Sequence, residues 1–337
     1  GGPGRALAHA IDAGRFRVDA ARFAPQDRAA LADAGFLLPA DENVFARSNL
    51  KYLSLETNSI CNQRCFFCPV SENPLPLREM ALPTVEEMAR QARDFPNFVA
   101  FFLNHYNEPF VDKRSPAILE ILRRHGHKVA VNTNGSIGLE RLDGEIPAGA
   151  IDLMTVNLHT IDKDQYRAER GRDHLDAVLR NVAGFREAGI AKAMRVVVLG
   201  FDDAKHDANH TAIQAHFDGT GIEVMRHGLG ERCGTIALPD AAPVPVGPKV
   251  LVGCEQTGSR VLEHLHILAD GRAIICCEDY NNEEIVGDVH RESLAEILAG
   301  EPMQALRRTI YGFDEATSDF ICARCEYAQC GTKLRSL

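Results

Sequence analysis

From residue 51 onward, short runs of β-branched and aromatic residues alternate with stretches whose apolar positions recur every three to four residues. The first texture predicts strands over 52–57, 98–106, 128–132, 153–158, 195–199 and 222–226; the second predicts helices over 85–94, 116–125 and 175–188. Strands separated by helices are joined by crossovers that set them parallel. The pattern therefore predicts an α/β fold, and six such units predict a partial (β/α)6 TIM-like barrel over 51–237.

The flanks read differently. Residues 5–50 are Ala-rich and helical in pattern, with a stop signal at 35–39, which makes 1–50 a small N-terminal helical cap. A Pro-rich stretch at 238–248 reads as the way out of the barrel, and 238–337 as a small C-terminal domain. Within it, 261–268 and 273–276 flank Ala269-Asp270-Gly271 as a hairpin would, and 293–308 has a helical pattern.

A net charge of -10 works against attraction to nucleic-acid phosphates or an anionic membrane surface, so neither is an expected partner. The chain shows neither an apolar run of about 20 residues nor a signal-peptide layout, so the expected location is the cytoplasm. That changes the reading of the 10 cysteines. In a reducing compartment they speak for metal or redox chemistry instead of a disulfide framework. Three lie at 61–68, six lie between 254 and 330, and Cys233 stands alone between the groups.

Cys61-Asn-Gln-Arg-Cys65-Phe-Phe-Cys68 places three soft thiolates just after a predicted strand, a donor set suited to an iron–sulfur cluster. A four-iron cluster on three thiolates keeps one iron open, and at the end of a barrel strand that iron faces the mouth. Zinc would want a fourth Cys or His, and the next 30 residues supply neither. This CxxxCxxC resembles the radical S-adenosylmethionine (radical SAM) superfamily.

In that superfamily the open iron chelates S-adenosylmethionine, so the resemblance implies reductive cleavage of the cofactor and hydrogen abstraction from an unactivated carbon. It assigns Phe67 to the adenine side and Asn157 to the ribose hydroxyls. Asn107-Glu108-Pro109 resembles the Gly-Glu-Pro element that receives the methionine ammonium, with Asn107 departing from the usual glycine. Asn134, in Thr133-Asn134-Gly135, matches the turn closing the third strand. Arg170 is either the partner of the methionine carboxylate through its planar fork or a surface arginine on a helix.

The C-terminal cysteines resemble the SPASM/twitch modules of the same superfamily, which implies a second 4Fe-4S cluster. Cys254, Cys276, Cys322 and Cys325 are the candidate ligands, Cys277 is an alternative to Cys276, and Cys330 is a spare or exchange ligand; a four-cysteine zinc site is the competing reading. Cys233, in Glu-Arg-Cys-Gly after the last barrel strand, is either a hydrogen-atom donor or a small packed residue. Three reactions follow: oxidation of a carbinol in a sugar, aminocyclitol or related metabolite, as in the family's single-auxiliary-cluster dehydrogenases; epimerisation with Cys233 as donor; or modification of a ribosomal peptide. The low-potential chemistry implies a flavodoxin or ferredoxin as electron donor. A non-catalytic iron–sulfur or zinc protein is the remote alternative.

Overall fold

Six parallel strands form where the hydrophobic pattern places them: β1 (Tyr52–Leu55), β2 (Ala100–Leu103), β3 (Lys128–Thr133), β4 (Ile151–Asn157), β5 (Ala191–Gly200) and β6 (Glu223–Gly228). The computed structural model describes residues 23–33, 42–236, 238, 250–255 and 260–331. Most of the proposed exit segment at 238–248, and much of the proposed N-terminal cap, lie outside the described residues; the part of the cap that is described holds α1 (Pro25–Asp33), which buries no side chain.

Between the strands run α2 (Leu82–Ala92), α3 (Ser115–Arg124), α4 (Lys163–Arg170), α5 (Leu175–Glu187) and α6 (Ala204–Phe217). Val85, Met88, Ala89 and Ala92 of α2, and Leu175, Val178, Val182 and Phe185 of α5, sit at helical spacing and are buried. They close one face of the sheet, joining Leu53, Leu55, Phe101, Leu103, Val129 and Val131 in a continuous core. The alternate residues project to the other face, where Tyr52, Phe102 and His264 meet.

The C-terminal region adds β7 (Leu251–Cys254), α7 (Arg260–Glu263), β8 (His264–Ile267), β9 (Arg272–Ile274), β10 (Ile285–Asp288), α8 (Leu294–Ala299), α9 (Glu301–Ile310) and β11 (Ala328–Cys330). The β8–β9 hairpin does not stand apart. Strand β8 pairs parallel with β1, Tyr52 opposite His264 and Leu55 opposite Ile267, so one nine-stranded sheet runs β10-β9-β8-β1-β2-β3-β4-β5-β6. Strands β7 and β11 make a separate antiparallel pair.

Two expectations shift. The helix predicted over 293–308 is two helices, because Gly300 is extended and Pro302, lacking an N–H and crowding the preceding turn, opens α9. Strand β2 stops at Leu103 because the Asn107 side chain accepts the His105 N–H and turns the chain. Among the described residues, no helix is long and apolar enough to cross a membrane.

Candidate active site

The loop bearing Cys61, Cys65 and Cys68 follows β1 and is held by its neighbours. Glu108 donates its backbone N–H to the Ile60 carbonyl at 2.9 Å, and Asn58 donates its side-chain N–H to the Glu108 carbonyl at 3.1 Å. On the other side, Arg64 and Phe66 donate backbone N–H groups to the carbonyls of Arg170 and Glu169, at 3.0 and 3.1 Å. Those carbonyls belong to the last turn of α4, where a helix leaves acceptors unused. Gly171 ends α4 at φ 63°, and a Cβ there would stand 2.8 Å from the Arg64 carbonyl oxygen. The close approach of helix end and cysteine loop therefore requires glycine.

Glu108 is 1% exposed, and both its oxygens are occupied. One accepts from Thr133 Oγ1 at 2.6 Å and from the Phe110 N–H at 3.2 Å; the other accepts from the Asn134 N–H at 2.6 Å. Burial, opposed by these donors, raises its carboxyl to about 6. The carboxylate expected to meet a ligand ammonium fastens the end of β2 to the turn after β3. Asn134 then reaches Asn62 Oδ1 at 2.9 Å and Cys61 Sγ at 3.7 Å.

Arg170 is 3% exposed, which corrects the surface-arginine reading. Its Nε donates to His159 Nδ1 at 3.0 Å, Nη2 to the Asn157 carbonyl at 2.8 Å, and Nη1 to Gln63 Oε1 at 3.3 Å and Cys65 Sγ at 3.5 Å. Phe67 covers the guanidinium at 5.1 Å. Asn157 is thus present at the site through its carbonyl. His159, Gln63 and Tyr166 escaped sequence reasoning; the available signal was the Asp162 cap, which accepts the Gln165 N–H and opens α4.

Burial pushes Cys61 up to about 12 and Cys68 up to about 11. As thiolates they need cationic compensation, which iron supplies. This buried, soft donor set fits a four-iron cluster with one iron open.

The C-terminal cysteines converge from separate elements. Cys254, on β7 opposite Ala328 of β11, lies in the electrostatic neighbourhood of Cys322, which with Cys325 brackets a 3-10 turn. The Cys276 and Cys277 thiols touch each other, and Cys276 Sγ accepts the Glu278 N–H at 3.4 Å. Arg260 senses Cys277, Cys276 and Cys254 together. Cys330 is exposed, its thiol on the Ala328 carbonyl.

Cys233 is 5% exposed, in a loop where Arg232, Cys233 and Gly234 all take positive φ. It neighbours Cys325 and Cys322, so it sits with the C-terminal set. Arg232 pairs with Glu278 at 2.6 Å. Tyr106 packs edge-on against Tyr280 at 4.7 Å, and Cys61 and Cys68 pack against the same buried cluster. Among the described residues, no three His, Cys, Asp or Glu side chains are gathered closely enough to hold one ion.

A family model described as Radical SAM superfamily matches residues 55–211, and one described as iron-sulfur cluster-binding domain (SPASM) matches 254–326. The chain therefore carries a radical SAM domain followed by a SPASM iron–sulfur cluster-binding domain. Its cofactors are S-adenosylmethionine and two iron–sulfur clusters. Sequence relatives include a GTP 3',8-cyclase of Marinobacter nauticus, 30% identical over 46% of this chain and 47% of that protein. Another, from Rhodopseudomonas palustris strain TIE-1, is 28% identical over 63% of this chain and 68% of its own length. The chain thus spans about half to two thirds of the curated relatives it matches. Among solved structures, Streptococcus suis SuiB bound to precursor peptide SuiA is 13% identical, covers 95% of this chain and 82% of that chain, and has a TM-score of 0.61. Native anSMEcpe with bound AdoMet is 12% identical over 76% of this chain and 82% of that chain, with a TM-score of 0.53. These structural likenesses show a shared α/β fold.

Proposed function

We propose that this radical SAM enzyme oxidises a carbinol in a sugar, aminocyclitol or related small metabolite, using the C-terminal site to take up the second electron. When bound to a reduced cluster, S-adenosylmethionine supplies a 5'-deoxyadenosyl radical able to remove hydrogen from an unactivated carbon. Cys61, Cys65 and Cys68 are assigned to that cluster, and Cys254, Cys276, Cys322 and Cys325 to the auxiliary one. Phe67 and Asn157 are assigned to the adenosine side. The protein's own part is to hold the reactants in register and exclude water.

The observation that carries the reading is the position of Tyr106 and Arg232. Tyr106 packs on Tyr280, with Cys61 and Cys68 against the same cluster, and Arg232 pairs with Glu278 next to Cys277, so a substrate held beside them would be near both cysteine groups. Carbinol oxidation gives up a C–H hydrogen atom, the hydroxyl proton and one further electron; a cluster held by Cys254, Cys276, Cys322 and Cys325 would supply the acceptor for that electron. A flavodoxin or ferredoxin supplies the electron that starts the cycle.

Epimerisation ranks lower, because Cys233 is buried beside Cys325 and Cys322, among the cysteines assigned to the auxiliary cluster. The relatives called GTP 3',8-cyclase favour a second reading, a purine nucleotide as substrate. The test is anaerobic turnover of a panel of cyclitols, sugars and GTP, read by mass spectrometry. A product two mass units lighter, one S-adenosylmethionine consumed per product, supports the dehydrogenase; a cyclised GTP product, or solvent deuterium in an otherwise unchanged substrate, refutes it.

A further inference from the structure

The Arg170 guanidinium is buried without a carboxylate to neutralise it. The adjacent Glu169 faces away, lying 2.9 Å from His159 Nε2 and pairing with Lys205, and no described carboxylate lies within ion-pair distance of Arg170. The Glu108 carboxylate acts on it through space without pairing, and of the groups that can ionise beside it, Cys65, Tyr166 and Cys61, the Cys65 sulfur is the one it hydrogen-bonds. Of the five N–H groups an arginine carries, four are spent inside the protein: on His159, Asn157, Gln63 and Cys65. A carboxylate fork needs two parallel N–H groups. Only one remains, so bidentate pairing with a methionine carboxylate is closed to this arginine.

We propose that Arg170 is a positioning residue that sets the reduction potential of the first cluster by donating a charge-assisted Nη1–H···S hydrogen bond to Cys65. This rests on the assignment of that cluster to Cys61, Cys65 and Cys68. Reduction adds negative charge to the cluster and its thiolates. A buried cation bonded to a ligand sulfur stabilises the reduced state more than the oxidised one, which raises the potential. His159 keeps the guanidinium on the sulfur by accepting from Nε. Gln63 braces the same contact, its Oε1 lying 3.6 Å from Cys65 Sγ.

The experiment is an EPR-monitored redox titration of the anaerobic holoenzyme without S-adenosylmethionine. It follows the cluster signal that afterwards changes when the cofactor is added. Arg170→Met should lower the midpoint, disfavouring reduction about tenfold, equivalent to about 59 mV for one electron. His159→Leu, which keeps the cation but frees it to turn, should shift the midpoint the same way by less; it decides the matter if the methionine variant does not load iron. An unshifted midpoint in a folded, iron-loaded variant overturns the proposal, even if cofactor affinity falls. If Cys65→Ala keeps the cofactor-responsive signal, the ligand assignment fails and the proposal fails with it.

Discussion

Around Cys61, Cys65 and Cys68 most of the organisation lies in one short loop and the strand ends beside it. Backbone N–H groups dock on the last turn of α4, Glu108 clips β2 to the turn after β3, and Asn134 and Arg170 reach the Cys61 and Cys65 sulfurs. The C-terminal cysteines instead arrive from β7, the segment after β9 and the 3-10 turn at Ile321–Arg324, elements distant in sequence. Their thiols meet one another, Cys233 with Cys325 and Cys276 with Cys277. The first site is a framework that cysteines complete, whereas the second depends on its cysteines to close it. Removing donors should therefore leave the first region folded and loosen the second.

The largest test is iron content. Two four-iron clusters give about eight iron per chain. Changing Cys61, Cys65 and Cys68 to alanine should remove about half of it with little loss of thermal stability, because the loop keeps its backbone anchors. Cys322→Ala with Cys325→Ala should also remove about half, but with a clear fall in Tm. Equal stability in the two variants breaks the contrast.

Glu56 joins the two regions: it ends the run of β1 and accepts the Ala269 N–H at 3.0 Å from the β8–β9 turn. Burial raises its carboxyl from 4.5 to about 7. A carboxyl whose folded pKa lies above its unfolded value favours folding below the unfolded pKa, and that contribution is lost as pH rises through the folded one. Stability of the metal-free protein should fall by roughly 2 to 3 kcal/mol between pH 4.5 and just above 7 on this account. Glu56→Gln should flatten that part of the profile in urea denaturation; an unchanged slope would place the pH dependence elsewhere.

Glu108→Gln replaces one oxygen of the clip by an amide N–H facing a backbone donor. A hydrogen bond to a charged group contributes about 1.5 to 3 kcal/mol. The expected result is a loss of that size in folding stability, accompanied by weaker S-adenosylmethionine binding. Weaker binding with unchanged stability would assign Glu108 to ligand contact and not to the clip. Gly171→Ala should cost about 1 to 2 kcal/mol for the left-handed backbone alone, and more from the clash with Arg64. Its signature is faster loss of iron from the first site during chelation, with the auxiliary site unaffected.

How much of this could be read from the chain follows from the same contrast. The cysteine spacing and the strand before it are local, so the loop after β1 and the order of the six parallel strands were legible. Helix α4 was not, because eight residues between a capping aspartate and Gly171 carry a strongly polar pattern with few apolar positions. Missing it left Arg170 unplaced between a helix surface and a ligand. The role of Glu108 depends on Thr133 and Asn134, which are 25 and 26 residues away. Nothing in the sequence near β8 marks it as a partner of β1, so the hairpin read as a separate module. The orientation of Cys233 depends on three consecutive positive φ values, and Glu-Arg-Cys-Gly does not specify them.

The central claim is that the first site cleaves the cofactor and the second serves a later electron transfer. It is tested by 5'-deoxyadenosine formation after anaerobic reduction with dithionite, in the wild-type holoenzyme, the variant lacking Cys61, Cys65 and Cys68, and the variant lacking Cys322 and Cys325. The account predicts 5'-deoxyadenosine from the wild type and from the C-terminal variant, and none from the first-site variant. Formation by the first-site variant, or its absence from a fully iron-loaded wild type, would contradict it.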